Sequence, residues 1–360
     1  MNKFAFLIHA LDLSDVIRFE PKAANKRPEL VHKIMEWTPP YLATHITGIK
    51  SLTGKEIEGY FIAVPFLPYH FFELPEEQVM GKILKAGQMA EELGAQILGL
   101  GGYTAVVGNA GYKIAKQLSI SVTSGNSYTV ATALEGVTLM ARELEIDLAK
   151  VKVAVIGATG SIGRVSAHIL AKQVPAITLV ARNSSRLKNL ALELKETCEA
   201  EISYTTNIAE GLKNARVIIS ATSSPGEIIH PDMIAPGCLI CDVALPHDVG
   251  RDVATKREDV LVIEGGIVEV PGSPNFNYDF GYPPKHALAC MAETMILTLE
   301  ERFETYTVGR KIKIGKVEEI SRLAQKHGFK LAGLRSFDRP VTKAMIEKVK
   351  KASRKIFAAS

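Results

Sequence analysis

Short apolar runs alternate with amphipathic stretches through the second half of the chain. The first run, Val151–Ile156, is almost entirely aliphatic, as in a strand that is buried on both faces of a parallel sheet. The pattern then predicts helices over 162–173, 184–198 and 208–213, and strands over 177–181, 202–205, 216–220, 238–243 and 260–263. This alternation predicts an α/β fold built on a doubly wound parallel sheet.

The first 150 residues are less regular. The apolar stretch Phe4–Ile8 predicts a buried first strand, and Pro75 opens a helical pattern that ends at Gly94. Asn126 is a suitable cap for a further helix that runs to about Glu145. These elements predict an N-terminal α/β domain ahead of the doubly wound sheet.

Two helices are predicted near the C-terminus. Pro283-Pro284 is a start signal for a helix from Lys285 to about Thr305. Further on, apolar residues recur at helical spacing opposite a lysine-rich side, which predicts an amphipathic helix with the apolar positions Val341, Met345, Val349, Ala352 and Ile356. The predicted organisation is an N-terminal domain over 1–145, the doubly wound domain over 146–272 and a C-terminal helical segment over 273–360.

Composition supports a globular protein of about two domains. The 360 residues are 47% hydrophobic and 23% charged, which excludes a disordered or collagen-like chain. Four cysteines are too few for a disulfide framework and favour a reducing compartment. No apolar run approaches the roughly 20 residues that span a bilayer, and Met1–Leu11 has no cleavage pattern of a signal peptide. We therefore predict a cytoplasmic protein.

The positive charge is concentrated at the C-terminus. Residues 301–360 contain 16 Lys and Arg against 6 Asp and Glu, whereas the whole chain has a net charge of only +4. Such a basic segment suggests an acidic partner, although a solvated helix face explains the same pattern.

The strongest motif is the glycine-rich run Gly157-Ala158-Thr159-Gly160-Ser161-Ile162-Gly163. It lies between the buried strand and an amphipathic helix, the context in which backbone N–H groups and a helix N-terminus bind a pyrophosphate. The spacing is GxxGxxG and not GxGxxG, so the motif is a variant. It predicts a dinucleotide-binding domain of the Rossmann type, in preference to a tight turn without a ligand.

The next predicted strand indicates which dinucleotide is bound. A site for NAD requires a carboxylate at the end of this strand for the ribose 2′-hydroxyl. Here the strand is followed by Arg182-Asn183, with Arg186 nearby, and guanidinium groups suit a 2′-phosphate. We therefore predict NADPH as the cofactor.

Two further loops follow predicted strands and are candidates for the cofactor crevice. One contains Ala221, Thr222 and Ser223, and the other begins at Gly265. Polar or glycine-rich loops at the carboxyl ends of parallel strands line that crevice. Ordinary turn chemistry explains both loops equally well.

The cysteines fall into two groups. Cys238 and Cys241 form a CxxC within a strand-like apolar run, which predicts buried structural residues and no metal site. Cys290 lies in the helix predicted after Pro283-Pro284, with His286 four residues before it on the same helical face. A histidine or a helix N-terminus can activate a thiol, but the apolar neighbours of Cys290 favour core packing on this pattern alone.

The motifs in combination resemble the long-chain acyl-[acyl-carrier-protein] reductases, which form fatty aldehydes. The resemblance covers roughly residues 48–330 and rests on stretches that recur in order. They are Leu52-Thr53-Gly54, Ile57-Glu58-Gly59-Tyr60, Leu100-Gly101-Gly102-Tyr103-Thr104, Ser124-Gly125-Asn126, the glycine-rich run, Ala181-Arg182-Asn183, Gly265-Gly266-Ile267-Val268-Glu269, Ala289-Cys290-Met291-Ala292-Glu293 and Lys326-His327-Gly328-Phe329.

The resemblance implies a covalent mechanism with NADPH. The residue at position 290 would be the nucleophile that takes the acyl group as a thioester, and NADPH would then reduce this thioester to the aldehyde. His286 is not a feature of the family, so its role as a base is our inference from the spacing. Ser124 and Asn126 are candidates for stabilising the oxyanion, although Asn126 also fits a plain helix cap.

A long acyl chain and its carrier add further expectations. Phe61, Ile62, Phe66, Leu67, Phe71 and Phe72 are candidates for an apolar tunnel, and ordinary core packing is the alternative for each. Acyl carrier protein or acyl-CoA would deliver the substrate, and we expect no nucleic-acid partner. The basic C-terminal helix could dock the acidic carrier or lie on a membrane surface. The oligomeric state cannot be inferred from the sequence.

Two other functions remain open at this point. One is a shikimate-dehydrogenase-like oxidoreductase that acts on a small hydroxy acid, which needs a Lys–Asp pair and has no use for Cys290. The other is a sensor that binds NADP without catalysis.

Overall fold

A computed structural model describes residues 1–279, 281–337 and 339–357, with side chains described up to Arg354. The chain divides into two compact units. The first unit contains Met1–Tyr128, Val268–Gly309 and Glu319–Lys330. The second contains Thr129–Ile267, Arg310–Glu318 and the chain from Leu331 onward. The segment 273–360, expected as one helical region, is thus shared between the two units.

The N-terminal part of the chain alternates strands with helices of very different length. The elements in order are β1 (Asn2–Ile8), α1 (Leu13–Phe19), α2 (Pro28–Trp37), β2 (Tyr41–Lys50), β3 (Glu56–Ala63), α3 (His70–Glu73), α4 (Glu76–Glu92), β4 (Ile97–Leu100), α5 (Val107–Ala110), α6 (Tyr112–Ala115), β5 (Ser121–Thr123) and α7 (Asn126–Glu143). The predicted first strand and the helix after Pro75 are confirmed.

The central part has the regular alternation that the apolar pattern predicts. Its elements are β6 (Lys152–Ile156), α8 (Ser161–Leu170), β7 (Ala176–Val180), α9 (Ser184–Lys195), β8 (Glu201–Thr205), α10 (Ile208–Leu212), β9 (Val217–Ser220), β10 (Leu239–Asp242), α11 (Arg251–Lys256) and β11 (Leu261–Glu264). Each predicted strand lies within one or two residues of its observed position.

The remaining elements are mostly short. They are β12 (Ile267–Glu269), β13 (Gly272–Asn275), β14 (His286–Leu288), α12 (Ala289–Leu299), α13 (Ile314–His327), β15 (Lys330–Leu331), β16 (Arg335–Ser336), β17 (Arg339–Pro340) and α14 (Lys343–Phe357). Three-residue to five-residue 3-10 helices occur at Pro21–Asn25, Gly102–Ala105, Leu148–Lys150 and Pro231–Met233.

The first unit contains a six-stranded mixed sheet in the order β13-β2-β3-β1-β4-β5. The four strands from β3 to β5 are parallel, and β2 and β13 extend the sheet antiparallel. One face packs on α4, where Ile83 and Ala86 meet Leu98 in the core. α12 contacts β1 and β4, and this contact brings the region of Cys290 to the sheet.

The second unit contains a fully parallel six-stranded sheet in the order β11-β10-β9-β6-β7-β8. The strand order reverses direction between β6 and β9, and this switch point is where doubly wound sheets bind their ligands. Apolar clusters cover both faces of the strands, as their continuous apolar sequences require. The predicted α/β class with a Rossmann-type sheet is confirmed.

The predicted helix from Lys285 to Thr305 is wrong at both ends. Lys285 adopts a positive φ of 66°, and the next three residues form β14, which pairs with β12. The helix begins at Ala289 and ends at Leu299. Pro283-Pro284 therefore leads into a turn and a strand, because pairing with a distant strand overrides the local start signal.

The amphipathic C-terminal helix is present as α14, and its apolar side faces the core of the second unit. Val349 is buried, and Val341, Met345 and Ile346 pack against the same cluster as β6 and β10. Lys350 and Arg354 both pair with Glu145. The described apolar side chains of this helix are thus covered by the protein itself, and the expected membrane contact through the basic tail stays a prediction that rests on the lysine-rich side. Ile356 lies outside the described side chains.

Candidate active site

The glycine-rich run forms the tight connection between β6 and α8. Gly157 has φ +75°, and a Cβ atom there would lie 2.2 Å from the carbonyl oxygen of Ala221 at the end of β9. A Cβ at Gly163 would lie 2.3 Å from the carbonyl oxygen of Gly157. Glycine is therefore required at both positions, and the run brings the ends of β6 and β9 together at the switch point of the sheet.

The N-terminus of α8 is suited to an anion. Gly160 occupies the cap position and supplies no side chain to the first N–H groups of the helix. Residues 159–162 are half-buried, so solvent reaches this end of the helix. A helix N-terminus without a side-chain cap, beside a glycine loop, binds phosphate through backbone N–H groups. The residues present thus fit the pyrophosphate of a dinucleotide.

The end of β7 is basic. Arg182 and Arg186 are exposed, and Asn183 caps α9 by accepting a hydrogen bond of 2.9 Å from the N–H of Arg186. Within the described chain neither arginine has a carboxylate at ion-pair distance. Two uncompensated guanidinium groups at this position fit a 2′-phosphate better than a 2′-hydroxyl.

The loop after β9 is held by a buried aspartate that the sequence patterns did not reveal. Asp248 accepts hydrogen bonds from the hydroxyls of Ser220 and Thr222, at 2.6 and 2.5 Å, and from the N–H of Thr222 at 3.1 Å. Burial, reinforced by the negative charge of Asp242, raises the pKa of Asp248 to about 6. The loop expected to line the crevice is therefore fixed by its hydrogen bonds to Asp248.

Asp242 and His247 form a second polar pair at this edge of the sheet. Asp242 is buried at the end of β10 and accepts the N–H groups of Ala244 and Val249. The Nδ1 atom of the half-exposed His247 lies 3.5 Å from its carboxylate. Gly265, which follows β11, donates its N–H to the carbonyl of Asp242. The carboxyl ends of β9, β10 and β11 thus carry a connected polar network.

In the first unit, Cys290 is the second residue of α12 and is half-buried. His286 lies in β14 and not on the helix, and its Nδ1 contacts the carbonyl of Pro284 at 2.9 Å. The shared helical face expected for His286 and Cys290 is therefore wrong. Cys290 instead lies in the first turn of α12. Leu288 at the cap position provides no capping side chain, so the positive end of the helix dipole is not covered by a cap.

The turn Ser124-Gly125-Asn126 lies directly against Cys290. Gly125 has φ +74°, and a Cβ atom there would lie 2.3 Å from the Cα of Cys290 and 2.4 Å from its Cβ. The neighbouring Ser124 is buried, and its hydroxyl has no hydrogen-bond partner among the described residues. Asn126 is the buried first residue of α7. Ser124 precedes Gly125, which contacts the cysteine. Its buried hydroxyl, which has no partner among the described residues, is a donor available to a ligand.

Glu293 connects this turn to α12. It is fully buried and accepts hydrogen bonds from the hydroxyls of Thr123, Ser127 and Thr307 at 2.5, 2.5 and 2.6 Å. It also accepts the N–H of Tyr128 at 2.8 Å. Since Glu293 follows Cys290 by three residues, these four bonds fix the cysteine's turn of helix against the end of β5.

The ligand-free thiol of Cys290 is held in its protonated form. Burial, together with the negative charge of Glu293, raises its pKa to about 12, and a hydrogen bond from the N–H of Met291 opposes this shift only partly. A thiol of this kind is a weak nucleophile until its proton is removed.

The other predicted residues occupy the core or its margin. Phe61, Ile62, Phe66 and Leu67 are buried, Phe71 is half-buried and Phe72 is exposed. Cys238 and Cys241 are buried on opposite faces of the second sheet, as predicted for structural residues. Among the described residues no cluster of three or more His, Cys, Asp or Glu has a geometry for a metal ion. No described helix is both long enough and apolar enough to cross a membrane.

Comparison with known proteins identifies the family. The chain is 30% identical over 306 residues to the long-chain acyl-[acyl-carrier-protein] reductase of Synechococcus elongatus, and the match spans 81% of the chain and 87% of that reductase. The chain belongs to the family of this reductase. The shikimate / quinate 5-dehydrogenase family profile also matches residues 138–264, which are the glycine-rich run and the sheet around it.

Two further relatives share only part of their length with this chain. It is 30% identical over 308 residues to the aminotransferase PigE of a Serratia species, but the match spans 36% of that longer protein. It is 29% identical over 187 residues to the glutamyl-tRNA reductase of Histophilus somni, of which it spans 43%. Membership of the acyl-[acyl-carrier-protein] reductase family, the match to the dehydrogenase profile and the match to the glutamyl-tRNA reductase together make the protein an NAD(P)-dependent oxidoreductase.

Proposed function

We propose that the protein reduces an acyl thioester to an aldehyde with NADPH, through a thioester on Cys290. The observation that carries this proposal is the position of Cys290, at the N-terminus of α12 and against Gly125, whose neighbour in the chain, Ser124, has a buried hydroxyl without a partner among the described residues. Membership of the acyl-[acyl-carrier-protein] reductase family supports the same chemistry and favours acyl carrier protein or CoA as the carrier.

The second unit would hold the cofactor. The N–H groups at the start of α8 would bind its pyrophosphate, and Arg182 and Arg186 would bind its 2′-phosphate. Thr222, held by Asp248, would line the crevice at the carboxyl end of β9. When bound there, NADPH supplies the hydride for the reduction.

The acyl transfer uses residues of the first unit. The sulfur of Cys290 forms a bond to the thioester carbon, the bond from that carbon to the carrier sulfur breaks, and the thiol proton leaves with the carrier thiol. The tetrahedral intermediate carries an oxyanion. Ser124 and the first N–H groups of α12 are the donors available for it, and a charge there is stabilised most in a buried site.

The raised pKa of Cys290 sets a requirement for this step. A thiol with a pKa of about 12 is almost fully protonated at neutral pH. Acyl transfer therefore needs the proton to pass to the departing carrier sulfur in the same step, or the thiolate to form only once substrate covers the site. In the free enzyme such a thiol would react only slowly with oxidants and alkylating agents.

The match to the shikimate / quinate 5-dehydrogenase profile does not favour a hydroxy acid as substrate. It covers residues 138–264, which contain the cofactor elements and leave out Ser124 and Cys290. A hydroxy-acid dehydrogenase and a non-catalytic NADP sensor are the alternatives that an assay must separate.

A turnover assay separates the three functions. Purified protein is mixed with NADPH and either palmitoyl-CoA or palmitoyl-acyl carrier protein, and aldehyde is trapped as an oxime. We expect one aldehyde for each NADPH oxidised, no aldehyde from Cys290→Ser, and full activity from Cys198→Ser as the matched cysteine control. NADP⁺ reduction by shikimate, or cofactor binding without any turnover, would overturn the proposal.

A further inference from the structure

A remote segment of the chain returns to the glycine-rich run. Residues Arg310–Glu318 belong to the second unit although the chain on both sides belongs to the first. Ile312, Ile314 and Val317 pack in one apolar cluster with α8, whose contributing residues are Ile162, Val165 and Ile169. Ile162 is itself part of the glycine-rich run, so this segment lies along the helix whose N-terminus fits the pyrophosphate.

This packing holds Arg310 beside α8, the helix that begins in the glycine-rich run. Arg310 precedes Ile312 by two residues, a separation that an extended chain covers in at most about 7 Å. Its side chain is exposed, as are those of Arg182 and Arg186. The three guanidinium groups come from two parts of the sequence, namely the connection from β7 into the first turn of α9 and the returning segment.

The positive charge of Arg186 acts on Arg310. Partial desolvation of this exposed side chain, together with the positive charge of Arg186, lowers the pKa of the Arg310 guanidinium. Neither residue, nor Arg182, has a carboxylate at ion-pair distance within the described chain. A bound anion would compensate positive charges that have no counter-ion in the protein, and it would form charge-assisted hydrogen bonds with them.

We propose that Arg310 is a third arginine for the 2′-phosphate of NADP and that it contributes to selecting NADP over NAD. The proposal rests on the cofactor part of the proposed function and not on the acyl chemistry. The 2′-phosphate is a monoester that carries close to two negative charges and three acceptor oxygens, and NAD has only a hydroxyl at this position. A guanidinium group meets such a phosphate with two parallel hydrogen bonds.

The test measures cofactor binding without any acyl substrate. Dissociation constants for NADPH and NADH are measured by calorimetry for the wild type, Arg310→Ala, Arg310→Lys and Lys311→Ala. Lys311 is the matched control because it is an exposed cation in the adjacent position. Adenosine 2′,5′-bisphosphate and AMP serve as a second ligand pair that differs only in the 2′-phosphate.

The expected result is selective for the 2′-phosphate. Arg310→Ala should weaken NADPH and the bisphosphate by about tenfold or more, because one charge-assisted pair is lost, and should change NADH and AMP less than about twofold. Arg310→Lys should recover part of the loss, and Lys311→Ala should change none of the four constants beyond about twofold.

Three results would overturn the inference, and a fourth would address the proposed function. An unchanged NADPH constant in Arg310→Ala, or equal losses for NADPH and NADH, means that Arg310 does not read the 2′-phosphate. A wild type that prefers NADH contradicts both the inference and the predicted cofactor. Normal NADPH selectivity through Arg310 in a protein that shows no aldehyde formation leaves the inference standing and rejects the acyl-thioester reaction.

Discussion

The backbones of Gly125 and Cys290 are in direct contact. A Cβ atom at position 125 would lie 2.3 Å from the Cα of Cys290, a distance that no side chain tolerates, and the φ of +74° is one that glycine adopts readily. Neither residue can move independently of the other. Glu293, on the same helix as Cys290, accepts hydrogen bonds from Thr123 and Ser127, which flank Gly125 in the chain. The position of the cysteine is thus set by a turn on another element.

This contact predicts the effect of Gly125→Ala. The added methyl group meets backbone atoms that cannot give way, so we expect a loss of roughly 1–3 kcal/mol in the free energy of unfolding and a displaced Cys290. Urea unfolding measures the first effect, and the rate of acylation by palmitoyl-CoA measures the second. Gly81→Ala is the control, because a Cβ there meets nothing within 4 Å and α4 should gain about 0.5–1 kcal/mol. Equal behaviour of the two variants would contradict the contact.

Substitutions of Glu293 should lower the free energy of unfolding, because its carboxylate accepts four buried hydrogen bonds. Glu293→Gln keeps the shape but turns one acceptor oxygen into a donor. The hydroxyls of Thr123 and Thr307 can rotate to accept from the new amide, so we expect a loss of about 1–2 kcal/mol. Glu293→Ala leaves three hydroxyls and the N–H of Tyr128 without their acceptor and should lose more than about 3 kcal/mol. Chemical unfolding of the two variants checks the order, and a more stable Ala variant would refute it.

Alkylation of Cys290 should be slow and strongly pH-dependent. Since its pKa is raised to about 12, the thiolate fraction grows about tenfold for each pH unit from 7 to 10. Iodoacetamide labelling followed by peptide mass analysis gives this rate, and the same peptide in guanidinium-unfolded protein should level off near pH 9. A rate for the folded protein that levels off below pH 8 would show an activated thiolate and contradict the raised pKa.

Asp248 should make the protein less stable as the pH rises. Its pKa of about 6 in the folded protein lies above the ordinary value of 3.8, so the stabilising contribution of the protonated form is complete at low pH. That contribution is lost as the pH rises through 6, and it amounts to at most about 3 kcal/mol. Asp248→Asn should remove this fall. Urea unfolding at pH 4.5 and 7.5 tests it, and an identical pH dependence in both proteins would be inconsistent with a raised pKa.

Much of the second unit could be predicted because the patterns that specify its strands and its glycine-rich loop are contiguous in the sequence. A parallel strand buried on both faces is a continuous apolar run, and a phosphate loop is a contiguous glycine motif. The observed strand ends at Ile156 and Val180 therefore lie within one residue of the predicted ends. The amphipathic helix α14 could be predicted in the same way. The burial of Val349 in the core of the second unit could not be predicted, because an amphipathic pattern does not show which surface covers its apolar side.

The features that the sequence did not reveal depend on distant partners. His286 enters a strand because β14 pairs with β12, and local proline signals contain no information on that pairing. Asp248 acquires its role from Ser220 and Thr222, which lie 28 and 26 residues before it in the chain. Ser124 was predicted from its place beside a helix start, but its missing hydrogen-bond partner is a property of the packed structure.

The intact mass of the protein after exposure to palmitoyl-CoA or palmitoyl-acyl carrier protein, without NADPH, tests the central claim most directly. The proposed mechanism predicts one palmitoyl adduct on the wild type and on Cys198→Ser, no adduct on Cys290→Ser, and loss of the adduct when NADPH is added. Absence of the adduct from a protein that still binds NADPH, or an adduct of equal yield on Cys290→Ser, would contradict the assignment of Cys290 as the nucleophile.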